Sequence, residues 1–297
     1  MAGRTPTANM RLRIARADIA RAIDGTGRRV FRRADLSAVL AENREFWRLS
    51  EGTTAGALIA YLCKHMGMKR AELKFERRKE LRYVWGESSV YQLALSLARD
   101  SYLCHYTAVY LHELTEQVPT TLYVNHEQSP KPAVKSELTQ ERIDWAFRRA
   151  PRVSSRVAQH DGYRICLVNG MYTGQLGVTT LTGDGEEEWR LTDVERTLID
   201  IAVRPVYAGG VFEVLKAYRL AHGRISVNRL AAMLKRLDYT YPYHQAIGFY
   251  LDRSGVYTET QVRLLRKPGI DFDFYLAHNM GETDCDPKWH LFFPKGL

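Results

Sequence analysis

The apolar residues of this chain change their period at Gly67, and the change limits what the first 86 residues can fold into. Before Gly67 they recur at helical spacing three times. Leu12, Ala15, Ile19, Ala22 and Ile23 form the first stripe, and Gly25 and Gly27 stop it. Leu36, Val39, Leu40 and Asn43 share one side of a second helix, with Phe46, Trp47 and Leu49 closing the turn behind it. Ala55, Leu58, Ile59, Leu62 and Met66 line the inside of a third, TTAGALIAYLCKHMGM. Then comes LKFERRKELRYVWG, Leu73 to Gly86. Leu73 and Phe75 precede a charged knot running from Glu76 to Glu80, and Leu81, Tyr83 and Trp85 follow it. Two short strands with a charged tip are expected there.

Three helices followed by a hairpin is the element order of a winged helix-turn-helix, so residues 1–86 are expected to form such a domain. In that module the third helix enters the major groove and the hairpin tip meets phosphates. At 100° per residue the outer side of the third helix carries Thr53, Ala57, Ala60, Tyr61 and Lys64, which are small, polar or cationic. Thr53 and Thr54 stand at the helix N-terminus, where the dipole favours an anion. Lys64 and Tyr61 suit phosphates or base edges. At the hairpin, Arg77, Arg78 and Lys79, flanked by Lys74 and Arg82, would neutralise backbone charge and make binding salt-dependent. The expected DNA-contacting set is therefore Thr53, Thr54, Tyr61, Lys64, Lys74, Arg77, Arg78, Lys79 and Arg82.

Charge is distributed accordingly. The chain carries +9 overall, but residues 1–86 hold 19 Lys+Arg against 9 Asp+Glu, while the remaining 211 hold 24 against 25. A basic module joined to a neutral one points to a polyanion as the first module's partner. A charged hairpin tip alone is ordinarily a solvated turn. Element order, charge asymmetry and a small outer helix face together favour double-stranded DNA.

From Ser88 the pattern alternates between helix and strand periods. SSVYQLALSLARD reads as a helix capped by Ser88, and SYLCHYTAVYLHEL as a second, aromatic-rich one. TTLYVNHE reads as a strand, SPKPAVKS as a loop, and LTQERIDWAFRRA as a helix ended by Pro151. YRICLVNG is a strand and TGDGEEEW an exposed hairpin turn. LTDVERTLIDIAVRP is a helix opened by a capping box from Thr192 to Glu195. Two further helices follow, and DFDFYLAHN and KWHLFFPKG alternate as strands. Residues 87–297 are expected to form one α+β domain. No run approaches 18 apolar residues, so no membrane span is expected. MAGRTPTANMRLR lacks the apolar core of a secretory signal and suits a DNA-binding arm or a frayed tail. Cys63, Cys104, Cys166 and Cys285 lie far apart without metal spacing, as reduced thiols of a cytoplasmic protein would.

Two segments carry a resemblance. SYLCHYTAVYLHELTEQVPTTLYV resembles the stretch that opens the antitoxin domain of the AbiEi family, and LTDVERTLIDIAVRPVYAGGVFEVLKAY resembles that family's other strong segment. The resemblance covers roughly residues 10–297 and is most specific over 101–124 and 191–220. It implies a transcriptional regulator and antitoxin of a type IV toxin–antitoxin system, linked to abortive phage resistance. The implied domains are an N-terminal winged helix on operator repeats and a C-terminal domain that opposes a nucleotidyltransferase toxin without a stable complex.

Four clusters bear on whether the second domain is an enzyme. His105 and His112 lie two helical turns apart, but no third ligand has metal spacing. Glu195, Arg196, Asp200 and Arg204 form a polar row in which Arg196 and Asp200 pair at i,i+4, as a fold-holding network does. Asp271 and Asp273 would share one strand face, without a following catalytic lysine or glutamate. His244 lacks a nucleophile. Tyr239, Tyr241, Tyr243, Phe249 and Tyr250 read as core or as an interface. No phosphate loop, dinucleotide fingerprint or nucleophile elbow is present. The reading is a DNA-binding autoregulator and antitoxin, not an enzyme, with no cofactor or metal, acting on inverted repeats as a dimer or as two adjacent monomers. The alternatives left open are a nuclease or nucleotide-processing enzyme targeted by its winged helix, and a standalone defence-associated interaction protein. In an enzyme, Asp200, Asp271 or Asp273 should share a cleft with a histidine or lysine.

Overall fold

The computed structural model describes residues 8–131, 137–183 and 187–297. The start of the expected N-terminal arm, most of SPKPAVKS and the middle of TGDGEEEW lie outside the described residues. The chain divides into two compact units: Met1–Arg99 with Ala158–Gly162, and Asp100–Val157 with Tyr163–Leu297.

The first unit begins with α1 (Ala8–Ile14) and α2 (Arg16–Asp24), where one helix is expected. The break at Ala15 is slight. Its N–H still reaches the Arg11 carbonyl at 3.0 Å, so Leu12, Ala15, Ile19 and Ile23 stay on one buried stripe. Gly27, in the left-handed region at φ +65°, turns the chain into β1 (Val30–Phe31). Asp35 accepts a bond from the Arg32 N–H at 2.7 Å and opens α3 (Arg33–Asn43). Arg44 then pins the following loop by donating to the carbonyls of Ser50 and Thr53 at 2.6 and 3.0 Å. Thr54 caps α4 (Ala55–His65), its hydroxyl accepting from the Ala57 N–H at 3.2 Å.

The hairpin is β2 (Lys69–Phe75) and β3 (Lys79–Val84), with Lys74 opposite Lys79. Its turn is tighter than the sequence suggests. The Phe75 N–H bonds the Arg78 carbonyl at 2.8 Å, and Lys79 and Glu80 belong to the strand. β1 pairs antiparallel with the far side of β3. β6 (Val157–His160) runs antiparallel along β2, with Phe75 opposite Ala158. The strand order is β1-β3-β2-β6. β1 and β6 carry no readable strand period and are absent from the sequence expectation. The core gathers Leu12, Ile19, Leu36, Leu58, Leu62 and Tyr83. α5 (Val90–Leu95) closes the unit, capped by Ser89 and not by Ser88.

The second unit is mixed, α+β in kind as expected. Its elements in chain order are β4 (Tyr102–Leu103), α6 (His105–Leu111), β5 (Thr121–Asn125), α7 (Gln140–Phe147), β7 (Tyr163–Val168), β8 (Val178–Thr182), β9 (Glu188–Thr192), α8 (Val194–Val203), α9 (Val211–Leu220), α10 (Val227–Leu237), α11 (Tyr243–Ser254), α12 (Glu259–Arg263), β10 (Phe274–Tyr275), β11 (Thr283–Asp286) and β12 (Leu291–Pro294). One sheet runs β7-β5-β4-β9-β8, with β5 parallel to β7 and β4 parallel to β9. A small sheet runs β10-β12-β11. The helical core is aromatic: Tyr218 of α9 stacks on Tyr250 of α11 at 5.1 Å. Gly248 of α11 leaves room for the Trp289 indole, which would lie 2.1 Å from any Cβ there. Tyr243, Phe249 and Tyr250 are buried, so most of the tyrosine-rich run is core. In SYLCHYTAVYLHEL, Tyr102 and Leu103 are strand and the helix runs only from His105 to Leu111. Among the described residues no helix is long and apolar enough to cross a membrane.

Candidate functional site

Nine residues are expected to face DNA, and the first unit divides them. Thr54, Lys64, Lys74, Arg77, Arg78 and Lys79 are exposed. Thr53 and Tyr61 are not on an outer face: they are 1% and 6% exposed. Thr53 precedes α4, and its hydroxyl lies 3.2 Å from that of Ser50. Tyr61 is three residues beyond Leu58 and next to Leu62, so it falls at the edge of an apolar stripe broader than expected. It joins the core, with its ring centroid 5.0 Å from that of His65. The outer side of α4 is therefore narrower, with Ala60, Lys64 and His65 exposed and Ala57 half-buried.

Arg82 is likewise buried, and its bonds explain why. Nε donates to the Ser96 hydroxyl at 2.9 Å, and Nη2 donates to Glu80 at 2.9 Å and to the Ser96 carbonyl at 3.3 Å. It ties the hairpin to the end of α5. The tip cations differ among themselves. Arg78 lies 5.0 Å from the Phe75 ring centroid and pairs with Glu80 at 2.8 Å. Lys79 and Lys74 approach Glu72 at 3.1 and 3.9 Å. Arg77, at the apex, makes no ion pair among the described residues. The cations of these pairs are exposed and their carboxylates half-buried, so the pairs are weak and the cations remain available to a stronger anion. Arg33 is not among the residues expected from the sequence. A guanidinium nitrogen of Arg33 would lie 3.8 Å from a Cβ at Gly56, placing it beside the first turn of α4. The Arg32–Arg33 doublet at the start of α3 is the signal that points to it.

In the second unit the polar row of α8 is interior. The Arg196 Nε donates to Asp200 at 2.8 Å, and both residues are buried. Arg196 also donates to the Leu176 carbonyl and to the Thr173 hydroxyl. Burial pulls its pKa down, but the adjacent Asp200 outweighs that and the net shift is upward. Gly177, at φ +73°, permits this closeness, since a Cβ there would sit 2.8 Å from the Arg196 Cβ. The network continues through Glu127, which accepts from the Tyr102 hydroxyl at 3.0 Å, the Thr173 N–H at 3.0 Å and the Gln175 N–H at 3.2 Å. Burial raises the Glu127 pKa, but these bonds bring it below its ordinary value. The expected box between Thr192 and Glu195 does not form. Asp193 caps α8 by accepting from the Arg196 N–H at 2.8 Å, while Glu195 turns to the Ser226 N–H and to Arg229 at the start of α10.

A pocket of about 630 Å³ opens beside this network. His105, Asp200, Arg204, Tyr207, Tyr239 and Tyr243 are among the residues that line it. His105 begins α6 in the left-handed region, at φ +50°, with Nδ1 3.0 Å from the Cys104 sulfur. Its ring meets that of Tyr207 edge-on at 5.2 Å. Burial holds the imidazole neutral, with its pKa lowered to about 4. His112 does not share this site; its Nε2 lies 2.7 Å from the Thr192 carbonyl. Asp271 and Asp273 precede β10 and are exposed, with Asp273 3.4 Å from His290. His244 bonds the Gly269 carbonyl at 2.8 Å. Asp200 shares the pocket with His105, the arrangement expected of an enzyme, but its carboxylate is paired with Arg196; Asp271 and Asp273 are not among the lining residues. No group of three His, Cys, Asp or Glu among the described residues is placed to hold a metal ion. The pocket could not be foreseen in the sequence because its parts come from six separated segments.

No protein-family model matches the sequence. No curated protein matches it either. Among solved structures, the chain is similar to the RV2827C protein from Mycobacterium tuberculosis, with a TM-score of 0.53 and 17% identity over 94% of this chain and 90% of that one. At that identity the likeness is one of fold.

Proposed function

We propose that this chain is a DNA-binding transcriptional autoregulator and antitoxin, with a winged helix-turn-helix in its first unit. The observation that carries the reading is the exposed cationic tip of β2 and β3, Arg77 to Lys79, built on the same core as α4 and its exposed Lys64. The order of α1 and α2 on one stripe, then β1, α3, α4 and the hairpin, together with the pairing of β1 with β3, supports it. In this reading α4 lies in the major groove, Thr54 and Arg33 approach a phosphate at its first turn, and the hairpin tip follows the backbone. Two copies occupy the halves of an inverted repeat. The antitoxin role rests on the resemblance of residues 101–124 and 191–220 to the AbiEi family. The second unit then opposes a cytoplasmic nucleotidyltransferase toxin without a stable complex.

The test is fluorescence anisotropy with the duplex upstream of the protein's own gene, across a range of salt. Replacing Arg77, Arg78 and Lys79 by Glu together is expected to weaken binding to every duplex. It should also flatten the dependence of log K on log salt by about 0.9 for each phosphate no longer neutralised. Unchanged affinity in that triple variant would remove the hairpin from the reading. Continued growth arrest when a nucleotidyltransferase encoded beside this gene is expressed together with this protein, or the absence of any such gene, would remove the antitoxin role.

A further inference from the structure

The pocket of the second unit has a composition that the antitoxin reading does not use. Its volume of about 630 Å³ is that of a small-molecule site. Its charged residues are Arg152, Arg196, Arg204, Asp200 and Asp238. Arg196 and Asp200 neutralise each other at 2.8 Å. Arg204 has no carboxylate partner among the described residues; one Nη donates to the Arg152 carbonyl at 3.4 Å. Arg152 is exposed at the rim and forms no ion pair among the described residues either. Asp238 adds a second carboxylate, so three arginines against two aspartates leave the lining one positive charge, carried on guanidinium groups that present planar forks to carboxylate or phosphate oxygens.

The remaining wall is aromatic. Tyr207, Tyr239, Tyr241 and Tyr243 line the pocket together with the His105 ring. Tyr207 is held in place, since its hydroxyl accepts from the Ser154 N–H at 2.7 Å, and Tyr239 and Tyr243 meet edge-on at 5.3 Å. His105 is 93% buried by its 7% exposure, and with Nδ1 occupied by Cys104 it keeps Nε2 without a partner among the described residues. Fixed rings with one neutral imidazole nitrogen suit a flat, uncharged ring system. A cation would be repelled by Arg204, and an aliphatic chain would forgo the ring-on-ring contacts that this aromatic wall offers.

We propose that this pocket binds a small planar aromatic compound bearing one oxoanion group, with the oxoanion on Arg204 and the ring between Tyr239, Tyr207 and His105. The proposal does not depend on DNA binding. The shared chemistry is an aromatic ring with a carboxylate or a phosphate, and the test separates the two. The full chain is titrated by calorimetry with a naphthoate, naphthyl phosphate, naphthol and inorganic phosphate. At least one of the two ring anions is expected to bind with a Kd below about 1 mM, and naphthol and inorganic phosphate at least about tenfold more weakly. Which anion binds identifies the source. Arg204→Gln should weaken the preferred anion about tenfold or more, while leaving the thermal unfolding midpoint near that of the parent. Arg204→Lys should recover part of the loss for phosphate and less for the planar carboxylate. Failure of both ring anions to bind, equal binding of naphthol, or full affinity in a folded Arg204→Gln variant would each overturn the proposal.

Discussion

Arg196 donates to Asp200 at 2.8 Å in a place where the side chains of both are at least nine-tenths removed from solvent. Removing either partner strands a charge that burial cannot tolerate, whereas removing both strands none. Arg196→Met is therefore expected to cost about 3–5 kcal/mol in urea unfolding, and adding Asp200→Leu should return much of it. Additive losses would mean that the pair is not coupled. His105 makes a second residue-scale prediction. It faces Cys104, Tyr123, Tyr207, Asp200, Arg196 and Arg204, and burial lowers its pKa to about 4. The unfolded imidazole takes up a proton near its ordinary value of about 6.5. Its contribution to stability is thus complete above that value and is lost as pH falls towards about 4, on the order of 3 kcal/mol in all. His112, His244 and His278 are also lowered by burial and add to the same trend. The comparison must therefore be with His105→Asn, since asparagine tolerates the left-handed backbone at this position. The variant should lose less stability than the parent between those pH values, and parallel curves would refute the assignment. The i,i+4 spacing of Arg196 and Asp200 was legible in the sequence. The strained His105 was not, because only the fold brings Tyr207 and Asp200 to it.

At the scale of elements, α4 and the hairpin show where periodicity informs and where it stops. The inner stripe of Leu58, Ile59 and Leu62 is buried as its spacing requires. A helical wheel cannot say how wide the buried arc is, because that depends on what packs beside the stripe; here Tyr61 is taken into the core. The hairpin arms were legible from alternation, but Arg82 faces the residues after α5, and its partner Ser96 lies 14 positions away. The tip residues also differ in a way that charge alone hides. Arg78 is held by Phe75 and Glu80, whereas Arg77 is tied to no carboxylate among the described residues. If the hairpin meets a phosphate backbone, Arg77→Ala should lower DNA affinity at low salt and reduce the salt slope by about 0.9 with little change in stability. Arg78→Ala should lose a few tenths of a kcal/mol of stability as well, roughly what an exposed pair with a ring contact supplies. Anisotropy titrations paired with thermal melts distinguish the two. A larger effect on binding from Arg78 than from Arg77 would place the phosphate elsewhere.

At the scale of the whole molecule, the mixed architecture could be read from segments that change period, and the basic first unit from its charge. The sheet of that unit could not, because its outermost strand comes from residues more than 70 positions beyond the hairpin. Strand β6 has only four residues and one buried apolar side chain, Ala158, so no local signal announces it. Yet it pairs Lys74 with Gln159 and Phe75 with Ala158, and His160 bonds the Glu72 carbonyl at 3.0 Å. The basic hairpin is thereby a central part of a four-stranded arrangement and not a free two-stranded ribbon, which would be marginal in water. A fragment of residues 1–99 retains the helical core around Leu12, Leu36, Leu58 and Leu62 but lacks this strand. Hydrogen exchange should then be nearly unchanged in α3 and α4, while the amides of residues 72–80 exchange at least about tenfold faster than in the full chain. Equal protection of that stretch in fragment and full chain would show that β6 adds nothing to the hairpin. Faster exchange throughout the fragment would show instead that the first unit's core also depends on the returning strand.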